Sequence, residues 1–445
     1  VTDKPILITG GRVVDPSRGI DQVLDVLLKD GIVARVDEKI AAPKGAEIVN
    51  AEGLIVAPGF VDLHVHFREP GFEHKETIAT GTASAAAGGY TTVCCMANTD
   101  PVIDDAPTAA FLVKKIRETA KVRVLPIGAV TKNLDGKELA EIGSMKAEGI
   151  VAISDDGKPV ANAQLMRRAM EYASMFSLPV VVHAEDPNLF SGGAMNEGAV
   201  ATRLGLPGIP NAAESSMIAR DVQIAALTKT PLHFAHVSTK ESLAVIRQAR
   251  AAGVKVTCEV TPHHLTLTDE AVALSRYDTN YKMNPPLRSE DDRQALVDAL
   301  NDGTIDAIAT DHAPHHPDEK ALEFADAPFG IIGLETALPV LVDALLPAKA
   351  LSVYRLVELL TTSPSRAFGL PCGTLAEGAP ADVVIFSTEN RTTFTADKLE
   401  SKSRNTPWLG RTLRGRVERT FVGGREVYRY DESRQNPPAP SGPSR

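Results

Sequence analysis

The segment Asp62-Leu-His64-Val-His66-Phe-Arg68 sets two imidazoles and a guanidinium at alternate positions of an apolar run. In an extended strand, residues i and i+2 point to one face, so His64 and His66 can hold a metal ion together while Arg68 shares their side. Alone, such a pair arises by chance about as often as for chemistry. It is not alone, because Asp155 and Asp156, His183, His236 and Asp311 all stand at or near the ends of other apolar runs. Four imidazoles with carboxylates and no thiolate suit Zn2+ or a similar first-row divalent ion. The set holds more ligands than one tetrahedral ion needs, so a pair of metals fits it. Metal ions in such a site polarise a carbonyl and make water nucleophilic near neutral pH.

Gathering these residues requires a scaffold that brings many strand ends to one place. Eight strand-like runs follow one another: Phe60-Val-Asp-Leu-His-Val-His, Thr91-Thr-Val-Cys-Cys-Met, Val122-Arg-Val-Leu-Pro-Ile, Ile150-Val-Ala-Ile-Ser, Pro179-Val-Val-Val-His, Leu232-His-Phe-Ala-His-Val, Val254-Lys-Val-Thr-Cys-Glu-Val and Ile305-Asp-Ala-Ile-Ala-Thr. Amphipathic stretches such as 163–176, 213–228 and 240–251 lie between them. Eight βα units in one chain are most simply closed as a (β/α)8 barrel, whose chemistry sits at the C-terminal ends of its strands.

On either side of this middle the pattern changes. Residues 6–57 alternate short apolar runs with turns such as Gly10-Gly11 and Lys29-Asp-Gly31, which reads as a small antiparallel β unit. The pattern returns in Ala381-Asp-Val-Val-Ile-Phe386, Arg416-Val-Glu-Arg-Thr-Phe-Val422 and Arg425-Glu-Val-Tyr-Arg-Tyr430. The expected organisation is an α/β barrel over 58–371 with a small composite β-sandwich domain built from 1–57 and 372–430. The Pro/Ser-rich 431–445 is expected to be a flexible tail.

The 445 residues, with 43% hydrophobic and 23% charged side chains, are those of a folded globular protein rather than a disordered one. A formal net charge of −10 without a long Lys/Arg run argues against a nucleic-acid or anionic-membrane partner. An anionic substrate would need a local positive site, which Arg68 offers. The four cysteines, Cys94, Cys95, Cys258 and Cys372, read as reduced thiols in a cytoplasmic protein, and no apolar stretch approaches the length of a membrane span.

His-x-His after the first strand, single histidines at the fifth and sixth, and an Asp after the eighth together resemble the amidohydrolase superfamily. Asp62-Leu-His64-Val-His66-Phe-Arg68-Glu-Pro70 further resembles one dihydroorotase signature, and Ala309-Thr-Asp311-His-Ala-Pro-His315, followed by Lys320, resembles a second. The similarity is greatest to class I dihydroorotases of bacteria and spans the chain to about Tyr430. Strand parity does not choose among Asp155, Asp156 and a modified Lys158 as the ligand shared by two metals. The resemblance implies Asp156, with Asp155 left as a turn-former before Gly157.

The resemblance also implies two Zn2+ ions, one held by His64, His66 and Asp311 and the other by His183 and His236. It implies reversible hydrolysis of dihydroorotate to N-carbamoyl-L-aspartate in pyrimidine biosynthesis, with Asp311 as the proton shuttle. The substrate would be gripped by His66, Arg68, Asn98 and His315 around its carboxylate, and by Asn284 and the backbone of Phe329 and Gly330 around its ring. A homodimer is the expected assembly, and aspartate carbamoyltransferase is a candidate partner.

Two rival readings share these residues. One is a different cyclic amidase, of hydantoinase or allantoinase type, against which Arg68, Asn98 and an Asp at the shared-ligand position count. The other is a non-catalytic dihydroorotase-like partner of the transferase, against which the filled ligand positions count. His263 and His264 read as ordering a loop or supporting the site, and His74, His233, His312 and His316 as structural or solvent-facing. Gly88-Gly89 lacks a phosphate-loop context and reads as a turn.

Overall fold

The computed structural model describes residues 4–190 and 192–431. The N-terminal strands are β1 (Ile6–Asp15), β2 (Ile20–Lys29), β3 (Ile32–Asp37), β4 (Glu47–Asn50) and β5 (Ile55–Pro58). The middle contributes β6 (Phe60–Val65), β7 (Tyr90–Cys95), β8 (Arg123–Gly128), β9 (Ala152–Ser154) and β10 (Val180–Val182). A small excursion follows, β11 (Met195–Asn196) with β12 (Gly208–Ile209), and then β13 (Leu232–Phe234), β14 (Val256–Val260) and β15 (Ala307–Ile308). The C-terminal strands are β16 (Val383–Thr393), β17 (Thr412–Val422) and β18 (Arg425–Arg429).

All eight strand runs of the middle form strands. They lie side by side in chain order from β6 to β15, every neighbouring pair parallel. The path closes where Val65 bridges His312 in parallel and the His66 N–H donates to the His312 carbonyl at 2.9 Å. The fold is therefore the expected (β/α)8 barrel. Helices Ala163–Ser174, Asn211–Thr228 and Lys240–Ala251 occupy the amphipathic stretches. Side chains of Asp105, Asn162, Thr239 and Ser289 accept hydrogen bonds from first-turn N–H groups of the helices they precede, which ends each βα loop at a defined point. Those loops carry the chemistry.

The two ends of the chain build one eight-stranded sheet in the order β18-β17-β16-β5-β1-β2-β3, with β4 also on β1. Val56 of β5 lies opposite Ile385 of β16, so N- and C-terminal segments meet in one ladder. Apolar side chains from both, Val13, Val26, Val56, Val383 and Phe421 among them, share one core. The sheet departs from the antiparallel expectation at β1, which pairs in parallel with β4 through Ile6–Thr9 and with β5 through Arg12 and Val13. Turn residues mark where a strand ends but not the direction in which a longer connection returns, so these pairs were not readable from them. A register break between Ile8 and Gly11 separates the two partners of β1. A Cβ on Gly11 would stand 2.5 Å from Val56 Cγ2, which explains glycine there.

The sheet is fastened to the barrel at Asp382. Its carboxylate takes both Nε and Nη2 of Arg123 at 3.1 and 3.0 Å and the Gly423 N–H at 2.8 Å, while its carbonyl takes the Gly59 N–H at 2.9 Å. The four cysteines are unpaired, and among the described residues no helix is long and apolar enough to cross a membrane. Of the expected flexible tail, residues 432–445 lie outside the described residues.

Candidate active site

Every predicted metal ligand sits at the C-terminal end of a barrel strand. His64 is the last residue but one of β6 and His66 follows the strand; Asp156, His183, His236 and Asp311 lie one to three residues beyond β9, β10, β13 and β15. The side chains converge on Asp156. Its Oδ1 lies 3.4 Å from His64 Nε2, 3.6 Å from His183 Nδ1 and 3.7 Å from His236 Nε2, and its Oδ2 lies 3.4 Å from His66 Nε2. Two groups able to hold an ion result, His64/His66/Asp156 and Asp156/His183/His236, with Asp156 common to both. Asp311 Oδ1 joins the first, at 3.1 Å from His66 Nε2 and 3.5 Å from His64 Nε2.

The alternatives at the shared position separate cleanly. Lys158 is exposed, one residue past Gly157, whose φ of 74° turns the chain away. The Asp155 carboxylate points backwards, accepting the Val130 and Thr131 N–H groups at 2.7 and 3.0 Å and the Thr131 hydroxyl. It fixes the loop after β8 rather than touching the cluster. Only Asp156 meets all four histidines.

Burial alone would raise the Asp156 carboxyl, but His64, His183 and His236 hold it well below the usual carboxylate range. Burial likewise disfavours charge on His64 and His183, yet the facing carboxylates push His64 up and His183 to about 10. The field in the cluster thus asks for positive charge, which a divalent cation supplies in place of protons. His64 Nε2, Asp156 Oδ1 and His236 Nδ1 are buried without hydrogen-bond partners, and two of these three face the centre of the cluster. The donor set therefore fits a two-metal group.

Arg68, His236 and Asp311 adopt φ of 61°, 32° and 47°. Left-handed backbone at non-glycine residues costs on the order of 1–3 kcal/mol each and collects at functional sites.

Beside the cluster opens a cavity of about 320 Å³, and all the predicted substrate residues line it: His66, Arg68, Asn98, Asn284, His315, Phe329 and Gly330, together with Asp156, His183, His236 and Asp311. Only His64 lies wholly behind the wall. Asn98 is held by its Oδ1 at 2.9 Å from His66 Nδ1. Asn284 Nδ2 donates to Glu185 Oε2 at 3.2 Å and lies 3.3 Å from His183 Nε2. Arg68 anchors Nε on the Pro314 carbonyl at 3.1 Å. His315 gives its Nε2 to the Phe329 carbonyl at 2.8 Å, leaving a buried Nδ1. Glu319 Oε2 lies 3.4 Å from that Nδ1 without making a hydrogen bond to it.

A Dihydro-orotase-like family profile matches residues 53–242. Over 424 residues, 95% of this chain and 99% of the relative, the chain is 51% identical to a dihydroorotase of Geobacter metallireducens. Over 423 residues, 95% of this chain and 98% of the relative, it is 53% identical to a dihydroorotase of Anaeromyxobacter dehalogenans. The chain belongs to the dihydroorotase family. Among solved structures, an L-hydantoinase (dihydropyrimidinase) from Arthrobacter aurescens aligns with a TM-score of 0.86 at 26% identity, covering 96% of each chain. This dihydroorotase-family chain thus shares its architecture with that hydantoinase.

Several residues around the site of this dihydroorotase-family chain escape the motifs. Glu259 of β14 is fully buried, with Oε1 at 3.1 Å from His64 Nδ1. Its signal was present, since it stands out of phase with the outward apolar set Val256, Cys258 and Val260. Asp62, also buried, accepts the His64 and Thr310 N–H groups at 3.0 and 3.2 Å and so ties the first strand end to the last. Glu185 shares parity with His183 and lies 3.4 Å from its Nε2. His264 is held between Thr261 Oγ1 at 2.7 Å and the Pro285 carbonyl at 2.9 Å, which suits the loop-ordering role expected of it.

A strap over residues 325–330 brings Phe329 and Gly330 to the cavity. Lys320 Nζ donates to the carbonyls of Pro328 and Gly330 at 2.9 and 3.1 Å. Lys282 Nζ donates to the Ala325 carbonyl at 2.8 Å and lies 4.5 Å from the Phe329 ring centre. Gly330 has φ 116°, and a Cβ there would meet Ala313 Cβ at 2.7 Å.

Proposed function

We propose that the chain catalyses the reversible hydrolysis of (S)-dihydroorotate to N-carbamoyl-L-aspartate with two zinc ions. His64, His66 and Asp311 would hold one, His183 and His236 the other, and Asp156 both. The observation that carries this reading is a single cavity in which a partly buried guanidinium, Arg68, stands beside a His/Asp cluster suited to a metal pair.

When bound, the metal pair supplies Lewis acidity, which polarises the ring amide carbonyl and makes a water molecule acidic near neutral pH. Arg68 offers a planar fork of donors to the substrate carboxylate, with Asn98 and His315 beside it. Asn284 and the Phe329-Gly330 backbone hold the ring so that its amide carbon faces the cluster. Water's oxygen bonds to that carbon, the C–N bond breaks, and the nitrogen gains a proton. Asp311 takes the proton from water and delivers it to the departing nitrogen, acting first as base and then as acid. In the cyclising direction the same carboxylate removes the nitrogen's proton and returns it to the departing oxygen.

The likeness to an L-hydantoinase favours one competing reading, a neutral cyclic amide as substrate. Against it stands Arg68, which such a substrate leaves without a partner in the cavity. The deciding experiment is a hydrolysis assay with dihydroorotate and with a neutral hydantoin, on protein whose zinc is counted in the same sample. A strong preference for dihydroorotate with about two zinc ions per chain is expected; equal rates on both, or full activity without metal, would overturn the reading.

We extend the proposal to a cytoplasmic homodimer that docks aspartate carbamoyltransferase. The family resemblance supports the assembly and the partner, and the four unpaired cysteines suit a reducing compartment. Light scattering of the purified chain, alone and mixed with the transferase, tests assembly and partner.

A further inference from the structure

Behind the cluster, a line of polar groups, buried except for Thr257 at its far end, runs through the barrel interior away from the cavity. Thr257 Oγ1 lies 2.8 Å from His233 Nδ1, His233 Nε2 lies 3.1 Å from Glu259 Oε2, and Glu259 Oε1 lies 3.1 Å from His64 Nδ1. His64 and Glu259 are 0% exposed and His233 1%. Thr257, at the far end, borders a second cavity of about 240 Å³ that opens among the starts of β10, β13 and β14, with Pro179, Pro231 and Lys255 in its wall. The mechanism above uses none of these groups except His64.

We propose that Glu259 and His233 are positioning residues that fix the proton of His64 on Nδ1 and thereby commit Nε2 to the metal. A carboxylate has only acceptor oxygens, so both imidazoles that meet Glu259 must donate to it. The proton of His64 therefore sits on Nδ1, and that of His233 on Nε2. The remaining His233 nitrogen, Nδ1, meets the Thr257 hydroxyl, which can donate or accept and so satisfies it. Every group in the line has a partner, and the line ends at His64 Nε2, the nitrogen left for a metal, which faces Asp156 and Asp311 at 3.4 and 3.5 Å.

The two histidines of the His-x-His pair are thereby made unequal. His66 Nδ1 faces the neutral amide oxygen of Asn98 at 2.9 Å, on the cavity wall. His64 Nδ1 faces a buried carboxylate. A carboxylate behind an imidazole raises its strength as a ligand and fixes its ring, and loss of such a partner typically weakens metal binding by about 10–100-fold. His64 is the permanent, preorganised ligand, while His66 keeps its second nitrogen on a side chain that also meets substrate. His233 in turn packs edge-on against Phe368, 5.0 Å between ring centres, which holds its own ring in line.

This inference rests on the metal reading given above, and the test separates the two. Zinc affinity is measured by chelator competition for the wild type, Glu259→Gln, His233→Gln and His233→Leu, with melting curves to confirm folding. Imidazole nitrogens are read by NMR in the zinc-loaded, 15N-histidine-labelled wild type. Expected are weakening of about 10–100-fold in Glu259→Gln, a clear loss in His233→Leu, and affinity near wild type in His233→Gln, whose amide can still donate to Glu259. The wild-type spectrum should show the His64 proton on Nδ1, exchanging slowly. Were His233 mere packing, Leu would serve beside Phe368 at least as well as Gln, and that result would overturn the proposal. So would zinc affinity within twofold of wild type in Glu259→Gln, or a His64 proton on Nε2; the wild-type spectrum decides even if Glu259→Gln does not fold. A wild type that binds no zinc would instead remove the metal reading and this inference with it.

Discussion

Asp311 combines two demands on one residue, a carboxylate against the His64/His66 pair and a backbone at φ 47°. Asparagine tolerates that left-handed backbone better than most residues, so Asp311→Asn tests the proton shuttle without forcing the chain to move. Turnover should fall by about 10²–10⁴-fold, the usual worth of a positioned acid/base, while most zinc stays bound; activity near wild type would remove Asp311 from its role. Arg68→Met should lower kcat/KM for dihydroorotate by about 10–100-fold, since a hydrogen bond to a charged group is worth about 1.5–3 kcal/mol. A cyclic amide without a carboxylate should be nearly indifferent, and an equal loss on both substrates would refute the recognition role. At this scale the sequence speaks clearly where parity applies, as for His64, His66 and Arg68. It is silent where chain direction decides, as in the divergence of Asp155 from Asp156. It also hides the left-handed backbone of Arg68, His236 and Asp311, since none of these is a glycine.

Among the elements, the strap over 325–330 depends on two lysines that touch main-chain carbonyls rather than carboxylates. Burial, aided by the charge of Lys282, pushes the Lys320 amine down to about 7 from its ordinary 10.5. Between those values the folded protein holds fewer protons on Lys320 than the unfolded chain does, so its contribution to stability rises with pH through that window. Relative to Lys320→Met, the wild type should therefore gain melting temperature from pH 7 to 10. The variant should also raise KM for dihydroorotate several-fold, because Pro328 and Gly330 lose their common donor. A pH-independent difference in melting, or an unchanged KM, would rule the staple out. Lys320 could be noted from the second motif, but its partners are carbonyls, which no residue type announces. The barrel strands were legible for the opposite reason: each is a short apolar run flanked by polar loops, as in Val180–Val182. The pairing of β11 with β12, two residues each, leaves no such trace.

At the scale of the whole molecule, barrel and sheet meet around Asp382, whose buried carboxylate holds Arg123 and the Gly423 N–H while its main-chain carbonyl holds the Gly59 N–H. Asp382→Ala should lower stability by about 2 kcal/mol, from the lost charged hydrogen bonds, and leave KM for dihydroorotate as it was. A shift in KM would mean that the join reaches the cavity. The sheet has a further consequence for how the protein is made. The edge of β5 that receives β16 is an apolar Ile55–Pro58 segment, and its partner is translated about 330 residues later. Throughout synthesis of the barrel, the early strands wait with an open edge of the kind that pairs with other chains. The ladder that covers the first segment made therefore cannot form until Val383–Phe386 have left the ribosome, and the open edge lasts as long as synthesis of the barrel does.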